Sequence, residues 1–155
     1  MSLLGKLYAM GLSENIVEPV IFVSDGTSYS VKVKDTGKVH IVPDLTGSCT
    51  FALPTPRKNL TYEFTYGGVA ADGQNWVIDT GVDANYFLGG LVHLDTDADA
   101  AGDEIVMVAG DGNSNSKLTV TTPEPGTIVK LACDGTNWYL SGYVASATAP
   151  SFADQ

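Results

Sequence analysis

Hydrophobic and polar residues alternate singly along much of this chain. In "LTYEFTY", Leu60, Tyr62, Phe64 and Tyr66 share one parity, while Thr61, Glu63 and Thr65 share the other. Successive side chains of an extended strand point to opposite faces, so period two predicts a strand with one face in a core. "SCTFALP" repeats the pattern through Cys49, Phe51 and Leu53, and "YSVKVKD" does so through Tyr29, Val31 and Val33. In "LACDGTNWYLSGYV", Leu131 and Cys133 precede a break, and Trp138, Leu140 and Val144 resume at even spacing. "EPVIFVSD" and "EIVMVAG" are apolar on both parities, which predicts strands covered on both sides. The whole pattern amounts to about ten or eleven short strands, with almost no helical period.

The breaks have a vocabulary of their own. Asp-Gly recurs at Asp25, Asp72, Asp111 and Asp134, twice followed closely by a tryptophan, Trp76 or Trp138. Asp-Gly between alternating runs predicts a hairpin, because a tight turn needs positive φ and glycine reaches it without strain. The intervals between the four pairs match no single period, which argues against a solenoid or propeller. The two tryptophans then read as core residues that open strands. The functional alternative is a pair of exposed rings that stack on sugars.

The ends differ from the middle. Residues 1–15 carry Leu3, Leu4, Leu7 and Tyr8 at roughly helical spacing, interrupted by Gly5 and Gly11. They read as an N-terminal arm that orders only against a neighbour, or equally as a frayed terminus or a strand lying on its own domain. Residues 16–145 form the β domain, with a sub-boundary conceivable near Gly37. The stretch 146–155, "SATAPSFADQ" with its neighbours, is small and polar and reads as a flexible tail.

Composition sharpens the class. The 155 residues suit one domain, and the 17% charged content with 17 glycines is that of a turn-rich β protein. A net charge of -10 with no basic run disfavours nucleic acid as a ligand, since phosphate binding needs clustered cations. No run approaches the roughly 20 apolar residues of a membrane span, and the start lacks the form of a signal peptide.

Candidate chemistry is thin. His40 and His93 both sit in strand-like text, and no nucleophile elbow, phosphate loop or dinucleotide fingerprint accompanies them. The reading is therefore non-enzymatic. Cys49 and Cys133 read as buried thiols on strands rather than a disulfide, and no pair spaced for zinc exists. The densest constellation is "LDTDADAAGDE", in which Asp95, Asp97, Asp99 and Asp103 could offer oxygens to calcium. An EF-hand beginning at Asp95 would need glycine at Ala100 and glutamate at Val106. A solvated acidic loop is thus favoured over a cation site, and no other cofactor is implied. Tyr86 and Phe87 beside Gly89-Gly90 read either as an interface patch or as a loop over the core.

Two stretches, "VPDLTGSCTFALPTPRKNLTYEFTYGG" and "LACDGTNWYLSG", give the chain a likeness. They resemble small β-rich virion proteins of tailed bacteriophages, the capsid decoration or cement proteins and related β domains of head or tail fibres. The matching residues are Leu53-Pro54, Tyr62-Glu63-Phe64 and Asp134-Gly135-Thr136-Asn137-Trp138, and the likeness spans roughly residues 38–145. The resemblance implies a protein that folds in the host cytoplasm, then binds the major capsid protein on the outside of an assembled head, commonly as a homotrimer. The alternative within it is a receptor- or glycan-binding domain of a fibre, and a calcium-dependent adhesion module is the next. The fold expected is all-β, a sandwich of jelly-roll type or a related barrel, because so many short strands otherwise leave too many open edges.

Overall fold

A computed structural model of the chain describes residues 20–21, 28–97 and 105–155. Leu3, Leu4, Leu7 and Tyr8 lie outside these residues, as do Asp99 and Asp103. The protein is an all-β sandwich. The described strands are β1 (Val20–Ile21), β2 (Tyr29–Ser30), β3 (Val39–Val42), β4 (Cys49–Ala52), β5 (Lys58–Tyr66) and β6 (Trp76–Asp79). They continue with β7 (Phe87–Asp95), β8 (Ile105–Ala109), β9 (Lys117–Val120), β10 (Ile128–Asp134), β11 (Trp138–Ser146) and β12 (Ser151–Ala153). One sheet runs β1-β3-β5-β10-β11-β7-β8 and the other β12-β9-β6-β4-β2.

The chain winds rather than folds back in its first half. β1, β3 and β5 lie side by side and parallel in the first sheet, while β2, β4 and β6 do the same in the second. Each circuit therefore contributes one strand to each layer. Gly37 (φ 79) is a turn inside this coil, with β2 before it and β3 after it. The second half adds antiparallel neighbours, β10 between β5 and β11, and β9 between β6 and β12.

Local chemistry explains where strands stop. The run "YSVKVKD" was expected to be extended through Val33, yet only Tyr29–Ser30 is strand and Val33–Asp35 forms a 3-10 turn. Asp35 donates its N–H to the Lys32 carbonyl at 2.9 Å, and its carboxylate holds the Lys38 ammonium at 2.9 Å. That turn redirects the chain toward the other sheet and leaves Val33 exposed.

The Asp-Gly pairs share one device with different outcomes. Asp134 accepts the N–H groups of Thr136 and Asn137 at 2.7 and 2.8 Å, and Gly135 takes φ 106. Here the flanking strands pair as the expected β10–β11 hairpin. Asp111 accepts three N–H groups, from Asn113, Ser114 and Asn115, which holds its carboxyl far below the ordinary range. Yet β8 and β9, on either side of it, belong to different sheets. Asp72 accepts from Gln74 and from Leu45, between β5 and β6 of opposite sheets, and Gly73 has no positive φ. The aspartate caps a turn in all three, but only one turn is a hairpin. Turn chemistry is local, whereas hairpin pairing needs both flanking strands in one sheet.

The core lies between the layers. Leu60, Tyr62, Phe64 and Tyr66 of β5 all face inward, as their parity predicts. Phe51 of β4 meets Phe64 across the sandwich at 5.4 Å and Trp76 at 6.4 Å, and Trp138 tilts over Tyr62 at 5.8 Å. Each fully buried large apolar side chain contributes about 1.5–3 kcal/mol, which makes this aromatic layer the main adhesive between sheets. Burial also pushes the Tyr62 hydroxyl up to about 12.

The C-terminal segment, expected to be a flexible tail over 146–155, runs back onto the second sheet. Ser151–Ala153 pairs with Lys117–Thr119, and Phe152 packs edge-on to Phe87 at 6.3 Å. The Gln155 amide donates to Thr80 and Ser116. A single aromatic and one closing glutamine anchor a stretch whose average composition is small and polar.

Candidate functional site

The outer face of the seven-stranded sheet is built by the odd parity that the core leaves over. Along β5 it carries Thr61, Glu63 and Thr65; along β10, Ile128, Lys130 and Ala132; along β11, Tyr139, Ser141 and Tyr143. Register then sorts these into rows. Ile41 stands opposite Thr65, Thr65 opposite Ile128, Ile128 opposite Tyr143, Tyr143 opposite Val92 and Val92 opposite Met107. Only Thr65 interrupts an apolar row that crosses six strands, about 24 Å at the usual strand spacing. Beside it a second row runs Ala145, Leu94 and Ile105. Tyr143, Met107 and Ile105 are 63%, 67% and 72% exposed.

The next rows on the same face mix polar and apolar residues. Val39, Glu63, Lys130 and Ser141 are in register, and so are Thr61, Ala132 and Tyr139. Together with Gly37 and Lys38 they line an open groove of about 450 Å³. Lys130 lies 3.3 Å from Glu63. The Tyr139 hydroxyl donates to Asp134 at 3.2 Å, and that hydrogen bond raises the Tyr139 pKa. Asp134 itself is held below the usual carboxylate range, first by the Asn137 and Thr136 N–H groups.

The residues singled out from the sequence fall elsewhere. Both tryptophans are fully buried, so neither is a sugar platform. His40 is buried against Phe64 (5.0 Å) and Tyr62, while His93 bonds through Nε2 to the Ser146 carbonyl at 2.9 Å. Cys49 and Cys133 are buried thiols on β4 and β10, in opposite sheets. Phe87 is core. Asp95 and Asp97 are described, with the Asp97 N–H donated to the Asp95 carboxylate at 2.9 Å. Among the described residues no three His, Cys, Asp or Glu side chains gather as a metal site would require. The calcium reading rests on Asp99 and Asp103, outside them.

"EIVMVAG" is where the sequence reading goes astray. Its double apolar parity predicted cover on both sides, but among the described strands β8 lies at the edge of the sheet and stands largely exposed. A hydrophobic count along one strand does not reveal what lies beside it. The missed signal in β11 is plainer: Tyr139 and Tyr143 occupy the solvent parity opposite Trp138, Leu140 and Val144. Large aromatics on that parity mark a surface with work to do.

No family model matches the chain, and no curated protein or solved structure matches it either. No described helix is long and apolar enough to cross a membrane.

Proposed function

We propose that this chain is a non-enzymatic virion structural protein of a tailed phage. It docks on the outer surface of the assembled capsid and stabilises the head by clamping neighbouring capsomers. The observation that carries the reading is the outward-facing apolar row Ile128, Tyr143, Val92 and Met107, of which Tyr143 and Met107 are exposed and the other two half-buried. Exposed contiguous apolar surface favours a macromolecular partner, and tyrosine and methionine are enriched where proteins meet. The likeness of residues 38–145 to decoration proteins supplies the partner, the major capsid protein. A homotrimer would present three such rows at once, so contacts of modest strength act together. The net charge of -10 keeps the free protein soluble in the host cytoplasm before docking. Leu3, Leu4, Leu7 and Tyr8 serve in this reading as an arm that ties the subunit to the shell or to its neighbour.

Mixing the protein with undecorated shells tests the reading. Tyr143→Lys with Met107→Lys should abolish loading, while the melting temperature stays within a degree or two because both sites are exposed. Loading equal to that of the unsubstituted chain would refute it.

A second reading, a glycan-binding domain of a fibre, is favoured by one observation, the groove beside the row, which combines Tyr139 with the polar side chains of Glu63, Lys130 and Ser141.

A further inference from the structure

We propose that the groove over β3, β5, β10 and β11 is a binding site for a neutral saccharide of about disaccharide size. The groove is adjacent to the apolar row but distinct from it, so this inference and the capsid reading fail separately. Its volume of about 450 Å³ lies within the range of small-ligand sites, about 300–1,000 Å³.

Charge decides the class of ligand. The two cations at the groove are each compensated, Lys38 by Asp35 at 2.9 Å and Lys130 by Glu63 at 3.3 Å. A phosphate or an acidic peptide would find no spare positive charge, and would approach a chain of net charge -10. A cationic ligand would likewise find both carboxylates at the groove, Asp35 and Glu63, already paired. A neutral polyol suits the lining, because Lys130 donates, Glu63 accepts, and the hydroxyls of Thr61 and Ser141 do both.

The aromatic partner is already fixed. Tyr139 is half-exposed, and its ring is tethered through its hydroxyl to Asp134, which the β10–β11 turn holds rigid. A ring held in one orientation loses little freedom when an apolar sugar face stacks on it. Val39 and Ala132 are small or apolar lining residues in the same rows as the ion pair and Tyr139 respectively, so the aromatic and the ion pair share one groove. Tyr143, on the same strand, lacks these neighbours and serves as an internal control.

The test is a microarray of neutral and acidic oligosaccharides probed with the full chain. Binding to neutral glycans is expected, reduced tenfold or more by Tyr139→Ala and unchanged by Tyr143→Ala. Ala132→Arg, which fills the groove and leaves Tyr139 in place, should cause the same loss, and circular dichroism melts show that each variant is folded. Binding to no neutral glycan, binding confined to acidic glycans, or equal binding by folded Tyr139→Ala and Ala132→Arg would overturn the proposal.

Discussion

Replacing Trp138 separates a core tryptophan from a sugar-stacking one by stability alone. The indole is fully buried on β11, tilted over Tyr62 at 5.8 Å, and Trp76 is equally buried between Phe51 and Tyr66. Truncating such a ring to alanine costs about 3–5 kcal/mol in transfer and cavity free energy. One feature works against the full figure: neither indole N–H has a hydrogen-bond acceptor among the described residues. An unsatisfied buried donor already costs the native state about 1–3 kcal/mol, and truncation removes that penalty. With that penalty at the low end of its range, about 1 kcal/mol, the expected loss is about 2–4 kcal/mol for Trp138→Ala, and similarly for Trp76→Ala. At about 2–4 °C per kcal/mol for a chain of this size, melting falls by about 4–16 °C. Trp138→Phe keeps a ring and removes the orphan donor, so it should cost less than Trp138→Ala. Urea unfolding followed by far-ultraviolet circular dichroism reads both without relying on tryptophan emission. A Trp138→Ala loss within about 0.5 kcal/mol, the scale of surface substitutions, would refute the core assignment.

Two further outcomes follow from individual groups. Burial lowers the His40 pKa from its ordinary 6.5, so the unfolded chain takes up a proton that the folded chain resists. The stability is whole above pH 6.5 and falls as the pH drops below it; melts between pH 7.5 and 5 should show the decline, and His40→Leu should flatten it. An identical slope in that variant would assign the decline to other groups. The favoured reading of the 94–104 loop as solvated acid predicts the same melting temperature in millimolar calcium and in chelator. A site saturated a hundredfold over its Kd would instead add about 2.7 kcal/mol, a shift of several degrees.

Much of the fold is legible along the chain. The parity of β5 assigns Leu60, Tyr62, Phe64 and Tyr66 to the core without any knowledge of the partner sheet. The same rule places Phe51, Trp138 and Leu140 inside, and separates Thr61, Glu63 and Tyr139 from them. The candidate site is less legible. Tyr143 and Met107 are far apart in the chain and come onto one row, on either side of Val92, only through the register of β11 on β7 and β7 on β8. The acidic run, conspicuous in one dimension, has no such company among the described residues. Local density of one residue type is easy to read, whereas convergence is not.

Alternation of side chains, scarcity of charge and the capped Asp-Gly turns already dictate an all-β chain with two buried tryptophans. Each depends on a residue and its near neighbours, within reach of backbone geometry. The coil of parallel strands, the exposed edge at β8 and the anchoring of Phe152 against Phe87 depend on contacts between distant segments. A strand's period tells which side chains share a face, but which strand lies beside it is settled by packing of the whole sandwich. The surface on which the proposed function rests, the row from Ile41 to Met107 and the groove under Tyr139, belongs to that second kind.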